Sequence, residues 1–240
     1  MILRKKIGER KFFIIAVAAV LIFVLGIYFL GGATVSARGS SVLEVESDEA
    51  IVNLNIESRE DSAQDAKNNV SEISDRVLAD LKNLGLEDKV ELQGYNIYPD
   101  YIWNDDGREE NGYVASQQIS VTLEDFDLIA EVLDVSVDSG ALVSYISFEL
   151  SDERRSELKS EALKKAGEDA REKAQATASG LGKNIGRLVS VKSEDFGFVP
   201  YVVERQGLEN AVAEGEVMNI APSSLEVSAT VEVEYKLTLF

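Results

Sequence analysis

Residues 50–85 read AIVNLNIESREDSAQDAKNNVSEISDRVLADLKNLG, and the change of period inside them decides the fold. Val52, Leu54 and Ile56 alternate with Asn53, Asn55 and Glu57, the period of two that sets one apolar face of a strand against a core. From Asp61 the apolar positions recur at threes and fours, through Ala66, Val70, Ile73, Val77, Leu81 and Leu84. Gly85 stands where a left-handed cap ends a helix. A strand followed by a one-striped helix predicts a sheet covered on one face.

The pattern then repeats with a hairpin inserted. Tyr95, Ile97, Pro99, Tyr101 and Trp103 share one parity while Val90 and Leu92 share the other, which predicts a bulge or bend near Gly94. Asn104-Asp105-Asp106-Gly107 reads as a turn, and Ile119, Val121 and Leu123 mark the return strand. Thr122 and Asp125 have capping-box spacing before a second helix carrying Phe126, Leu128, Ile129, Val132 and Leu133, which stops before Gly140. With a strand over Leu142 to Leu150 the order is β-α-β-β-α-β, the ferredoxin-like split unit.

Beyond it the α+β fold is extended by a long helix and two antiparallel strands. Ser151 is the expected cap of that helix, with Asp152 and Glu153 in its first turn. Ala162, Ala166, Ala170, Ala174 and Ala178 place a small residue at every fourth position, a ridge that admits another element closely, within the monomer or between copies. One strand is expected from Arg187 through Phe196 and Phe198 to Tyr201, and Glu204 to Ser223 reads as a mobile loop. The last strand alternates most regularly, Leu225, Val227, Ala229, Val231 and Val233 against Glu226, Ser228, Thr230, Glu232 and Glu234.

Ahead of all this, Phe12 to Leu30 is an uninterrupted apolar run, and a helix of that length roughly spans a hydrocarbon core of about 30 Å. Arg4, Lys5, Lys6, Arg10 and Lys11 precede it, so residues 1–11 are expected in the cytoplasm, 12–32 in the membrane, 33–41 as a linker, and 42–240 as an extracytoplasmic domain. A secretory signal has a shorter apolar region, of about 7 to 15 residues. The competing reading is cleavage at Val35-Ser36-Ala37, which has the small residues a signal peptidase would read.

Composition narrows the chemistry. The net charge of −19 disfavours nucleic acid and anionic lipid headgroups as partners. Without Cys there are no disulfides, thiolate nucleophiles or sulfur-ligated metals, and without His the commonest general base and metal ligand are missing. No catalytic, cofactor or metal site is expected. Three motifs bear on that expectation. Ser156 and Lys159 have Ser-x-x-Lys spacing, but they fall in a charged helix without the companion motifs of acyl enzymes. Asp105, Asp106, Glu109 and Glu110 would gather a hard cation, yet lack the alternating oxygen spacing of a calcium loop. Asn69-Val70-Ser71 is formally a glycosylation sequon.

What remains is surface. Tyr95, Tyr98, Tyr101 and Trp103 on the hairpin, and Ala162, Ala166, Ala170 and Ala174 on the ridge, are the candidate self-association residues of an expected homo-oligomer.

The order of motifs resembles the SIMPL-domain family, also described as the bacterial oxidative-stress-defence and periplasmic immunogenic protein family. The matching pieces are Asp48-Glu49-Ala50-Ile51-Val52, Tyr98-Pro99-Asp100-Tyr101, Gly112-Tyr113-Val114-Ala115-Ser116, Gly140-Ala141, Phe148-Glu149-Leu150-Ser151-Asp152, Glu161-Ala162, Gly180-Leu181-Gly182 and Val227-Ser228-Ala229-Thr230-Val231. The resemblance implies an extracytoplasmic domain whose members form multimers, with cell-envelope or stress-related roles and no assigned catalytic residues. A retained anchor departs from that pattern. Met occurs only at Met1 and Met218, so direct oxidant scavenging by sulfur is not expected and any protection is indirect.

Overall fold

The computed structural model describes Val20 and residues 32–104, 107–204 and 224–238, with the backbone alone at 194 and 195. They form two compact units: Val42–Ser160 with Gly197–Val227, and the described parts of Met1–Ser41, Glu161–Phe196 and Ser228–Phe240. The expected anchor at 12–32 lies outside the described residues but for Val20 and Gly32, and the expected loop lies outside them but for Glu204. Among the described residues no helix is long and apolar enough to cross a membrane.

The strands are β1 (Thr34–Val45), β2 (Glu49–Glu60), β3 (Val90–Asn104), β4 (Gly107–Leu123), β5 (Leu142–Glu149), β6 (Asn184–Phe198), β7 (Tyr201–Glu204) and β8 (Leu225–Thr238). The helices are α1 (Ala63–Asn83), α2 (Ile129–Asp138) and α3 (Asp152–Gly180).

In the first unit the sheet order is β3-β4-β2-β5-β7. Every pairing in it is antiparallel. Its first four strands, with α1 and α2, make the β-α-β-β-α-β succession read from the sequence. Val52, Leu54 and Ile56 are buried as their alternation requires, against Ala66, Val70, Val77 and Leu81 of α1 and Val132 of α2. Phe148 of β5 is wholly enclosed, with Phe126 edge-on at 5.5 Å. The end of α1 shows why Gly85 is glycine: at φ 79° it lets the Leu86 amide donate to the Leu81 carbonyl at 3.0 Å, closing orphan helix carbonyls.

Two boundaries differ from the sequence reading. Thr122 is not a helix cap, because β4 runs on to Leu123 to pair with Ala50. The cap is Asp125, whose carboxylate accepts the Asp127 amide at 3.0 Å and starts a 3-10 turn ahead of α2. Tyr201 does not continue β6. It follows Pro200, begins β7 and pairs with Phe148 at the far edge of the first sheet.

The second unit holds the three-stranded sheet β1-β8-β6. Its first strand corrects the expected linker at 33–41: Thr34–Val45 is β1, with Val35 and Gly39 buried. The residues are small for a packing reason. Gly39 sits so close to α3 that a Cβ there would meet the Ala166 carbonyl oxygen at 2.1 Å. The Ser41 hydroxyl donates to the Ala162 carbonyl at 2.7 Å, and the Ser40 amide to the Asp169 carboxylate at 2.8 Å. Ala162, Ala166, Ala170, Ala174 and Ala178 are all fully buried. The ridge is filled from within the same chain, which withdraws it as a contact between copies.

Candidate interaction surface

The β3–β4 hairpin outruns the sheet that supports it. β2 stops pairing at Glu60 with Tyr113, beyond which Asp100–Asn104 and Gly107–Gly112 continue as a two-stranded ribbon. A bare two-stranded ribbon is marginal in water, so its cross-links matter. The Asp100 carboxylate takes Arg59 Nε at 3.2 Å and Asn111 Nδ2 at 2.8 Å, tying the ribbon back to β2. Arg108 stacks its guanidinium 3.4 Å from the centre of the Tyr101 ring, and Asn104 donates to Glu109 at 2.9 Å across the turn. The charge of Glu110 and its hydrogen bond, with some burial, raise the pKa of the Tyr113 phenol.

The register defines two faces. Tyr95, Ile97 and Pro99 pair with Gln117, Ala115 and Tyr113 on the helix side of the sheet. Tyr98 pairs with Val114 and points to the other side, where Arg59 and Asp100 meet. The shift expected at Gly94 is present between Leu92 and Tyr95, and a second lies between Pro99 and Tyr101. Among the described residues β3 is an edge strand, and Leu92, Tyr95, Ile97, Tyr98 and Ile102 are exposed on it, as is Trp103 at 78%. Tyr101 is half-buried beneath Arg108. An open edge with apolar side chains on both faces is the geometry that recruits another strand.

The other sequence candidates are not assembled into a site. Ser156 and Lys159 lie exposed on α3. Asp105 and Asp106 lie outside the described residues, and among those described no three metal-ligating side chains converge. Asn69 is exposed and donates to Glu60 at 3.0 Å. A shallow cleft of about 250 Å³ beside the end of α1, lined by Leu78, Ala79, Lys82, Glu87 and Val90, contains the Lys82–Glu87 ion pair and no nucleophile.

One constellation escaped sequence reasoning. The Asp48 carboxylate accepts both the Ser151 amide at 2.8 Å and the Ser151 hydroxyl at 2.6 Å, and that hydroxyl accepts the Arg154 amide at 3.2 Å. Arg155 then bonds the Leu150 carbonyl at 2.9 Å and pairs with Glu149 and Asp152. The start of β2, the end of β5 and the cap of α3 are locked together. The spacing of Asp48 and Ser151 along the chain gave no local signal.

These features define an antiparallel α+β protein in two units that offers an open aromatic edge. The chain belongs to the SIMPL family, whose model, described as a protein of unknown function (DUF541), matches residues 35–235. It is similar to the 26 kDa periplasmic immunogenic protein of Brucella melitensis biotype 1, 28% identical over 114 residues, and to that of Brucella abortus, 27% identical over 114 residues. Each match covers 45% of this chain and 46% of the relative, so the chain aligns with about half the length of these curated relatives.

Proposed function

We propose that this protein is a non-enzymatic, membrane-anchored extracytoplasmic module that self-associates through the β3 edge and the projecting ribbon, in a cell-envelope or indirect stress-defence role. The observation that carries the reading is the outer edge of β3, open among the described residues, with Tyr95, Ile97, Tyr98 and Trp103 exposed along the strand. A second copy adding a strand there would satisfy the free backbone groups and bury the aromatic rings together. The apolar run Phe12 to Leu30 with its basic flank supports a single-pass anchor with the N-terminus in the cytoplasm. The word periplasmic in the names of the Brucella relatives supports an address beyond that membrane.

Light-scattering mass of the detergent-solubilised full chain, followed over a concentration series, tests self-association. The expected result is a mass that climbs to a multiple of the protomer and falls back to it in the double variant Tyr95→Ser, Trp103→Ser. A species that stays monomeric at the highest concentration would refute the assembly.

A further inference from the structure

The end of the second unit from which the chain leads back to the apolar run is basic, in a chain of net charge −19. Three hydrogen bonds assemble that end. The Leu237 amide donates to the Ala33 carbonyl at 2.8 Å, the Thr238 hydroxyl to the Asn184 carbonyl at 3.4 Å, and the Lys183 amide to the Ala178 carbonyl at 2.9 Å. They bring together the start of β1, the end of β8, the start of β6 and the end of α3. Residues 32–36, 176–187 and 236–238, which make up this end, include Lys183, Arg187 and Lys236 and neither Asp nor Glu. Leu181 projects from it, 65% exposed. Only Gly31, Gly32 and Ala33 separate Leu30 from the first residue of β1, so the tether has almost no slack.

We propose that this end is a docking face for an anionic bilayer, with Lys183, Arg187 and Lys236 on lipid phosphates and Leu181 at the level of the headgroups. The inference rests on the anchor reading above. Basic groups close to an anionic surface attract it within a Debye length, about 8 Å at physiological salt, and the short tether holds this end within that range. The acidic remainder of residues 42–240 is repelled by the same surface, so charge favours contact through this end.

The native chain lacks Cys, which makes a single-label experiment direct. The full chain is reconstituted into nanodiscs of phosphatidylcholine, alone or with one part in three phosphatidylglycerol, that carry a nitroxide headgroup quencher. A fluorophore is placed at Leu181→Cys, just past the end of α3, or, as a reference roughly 25 Å back along that helix, at Lys164→Cys. The expected quenching at position 181 in anionic discs is about threefold that at 164. It drops towards the neutral-disc value in about 1 M salt, where the Debye length is about 3 Å, and in Lys183→Gln, Arg187→Gln, Lys236→Gln. Quenching at 181 that ignores lipid charge, salt and the triple variant overturns the docking face. A chain stripped from the discs by carbonate overturns the anchor itself, and this inference with it.

Discussion

Gly39 and Ala170 bring two backbones into direct contact: a Cβ on Gly39 would lie 2.2 Å from the Ala170 amide nitrogen. Neither partner can retreat easily, because one is a strand fixed in a sheet and the other a helix turn. Gly39→Ala should therefore destabilise the protein by about 1–3 kcal/mol, the range for overpacking a tight interior. Gly167→Ala is the matched control, since a Cβ there meets nothing within 4 Å. Urea unfolding of the two variants checks this, with only the first expected to lower the midpoint.

Asp48 and Ser151 make the second test. Asp48→Ala removes a carboxylate that accepts two hydrogen bonds from Ser151. The expected loss is about 1.5–3 kcal/mol, the scale for bonds to a charged group. Ser151→Ala gives up the hydroxyl bond and the helix cap but keeps the amide bond, so it should cost less. Equal stability of Asp48→Ala and the native chain in thermal unfolding would count against the lock.

Acid sensitivity should carry two opposite signatures. Burial, and then the neighbouring charge of Asp48, raise the Glu49 carboxyl above its ordinary value of 4.5. The folded state thus binds the proton more tightly, and Glu49 is a liability that is full above its folded pKa and gone below 4.5. Glu49→Gln should raise the melting temperature at pH 7 and make no difference in strong acid. Asp169 is the converse, its pKa lowered by the Lys173 hydrogen bond and then by the Ser40 amide. Its contribution is present above 3.8 and lost as the pH falls through its folded pKa, so Asp169→Asn should lower the melting temperature at pH 7 and converge with the native chain in acid.

What the sequence made legible was periodicity. Val52, Leu54 and Ile56 announce β2, the Ala66 to Leu81 stripe announces α1, and the parity switch around Gly94 announces the bulge. β1 was hidden because Ala37, Gly39 and Ser41 carry no strand preference of their own; Gly39 lacks a side chain because a helix backbone passes over it, and Ser41 bonds that same helix, a tertiary cause. β7 was hidden because Pro200 breaks the run and sends Tyr201 to the other sheet. The aromatic stripe could be read from alternation. Its overhang could not, since that depends on where β2 ends, a property of a different strand.

The neighbour of β1 in its sheet is β8, made roughly two hundred residues later, and such distant pairings form slowly. β1 precedes the split unit along the chain and stays unpaired until β8 has been synthesised. The split unit holds all its principal strands by Glu149 and is free to fold while synthesis continues. Assembly of this protein therefore runs from the middle of the polypeptide outward, and premature termination would leave a folded centre with a bare, adhesive leader strand.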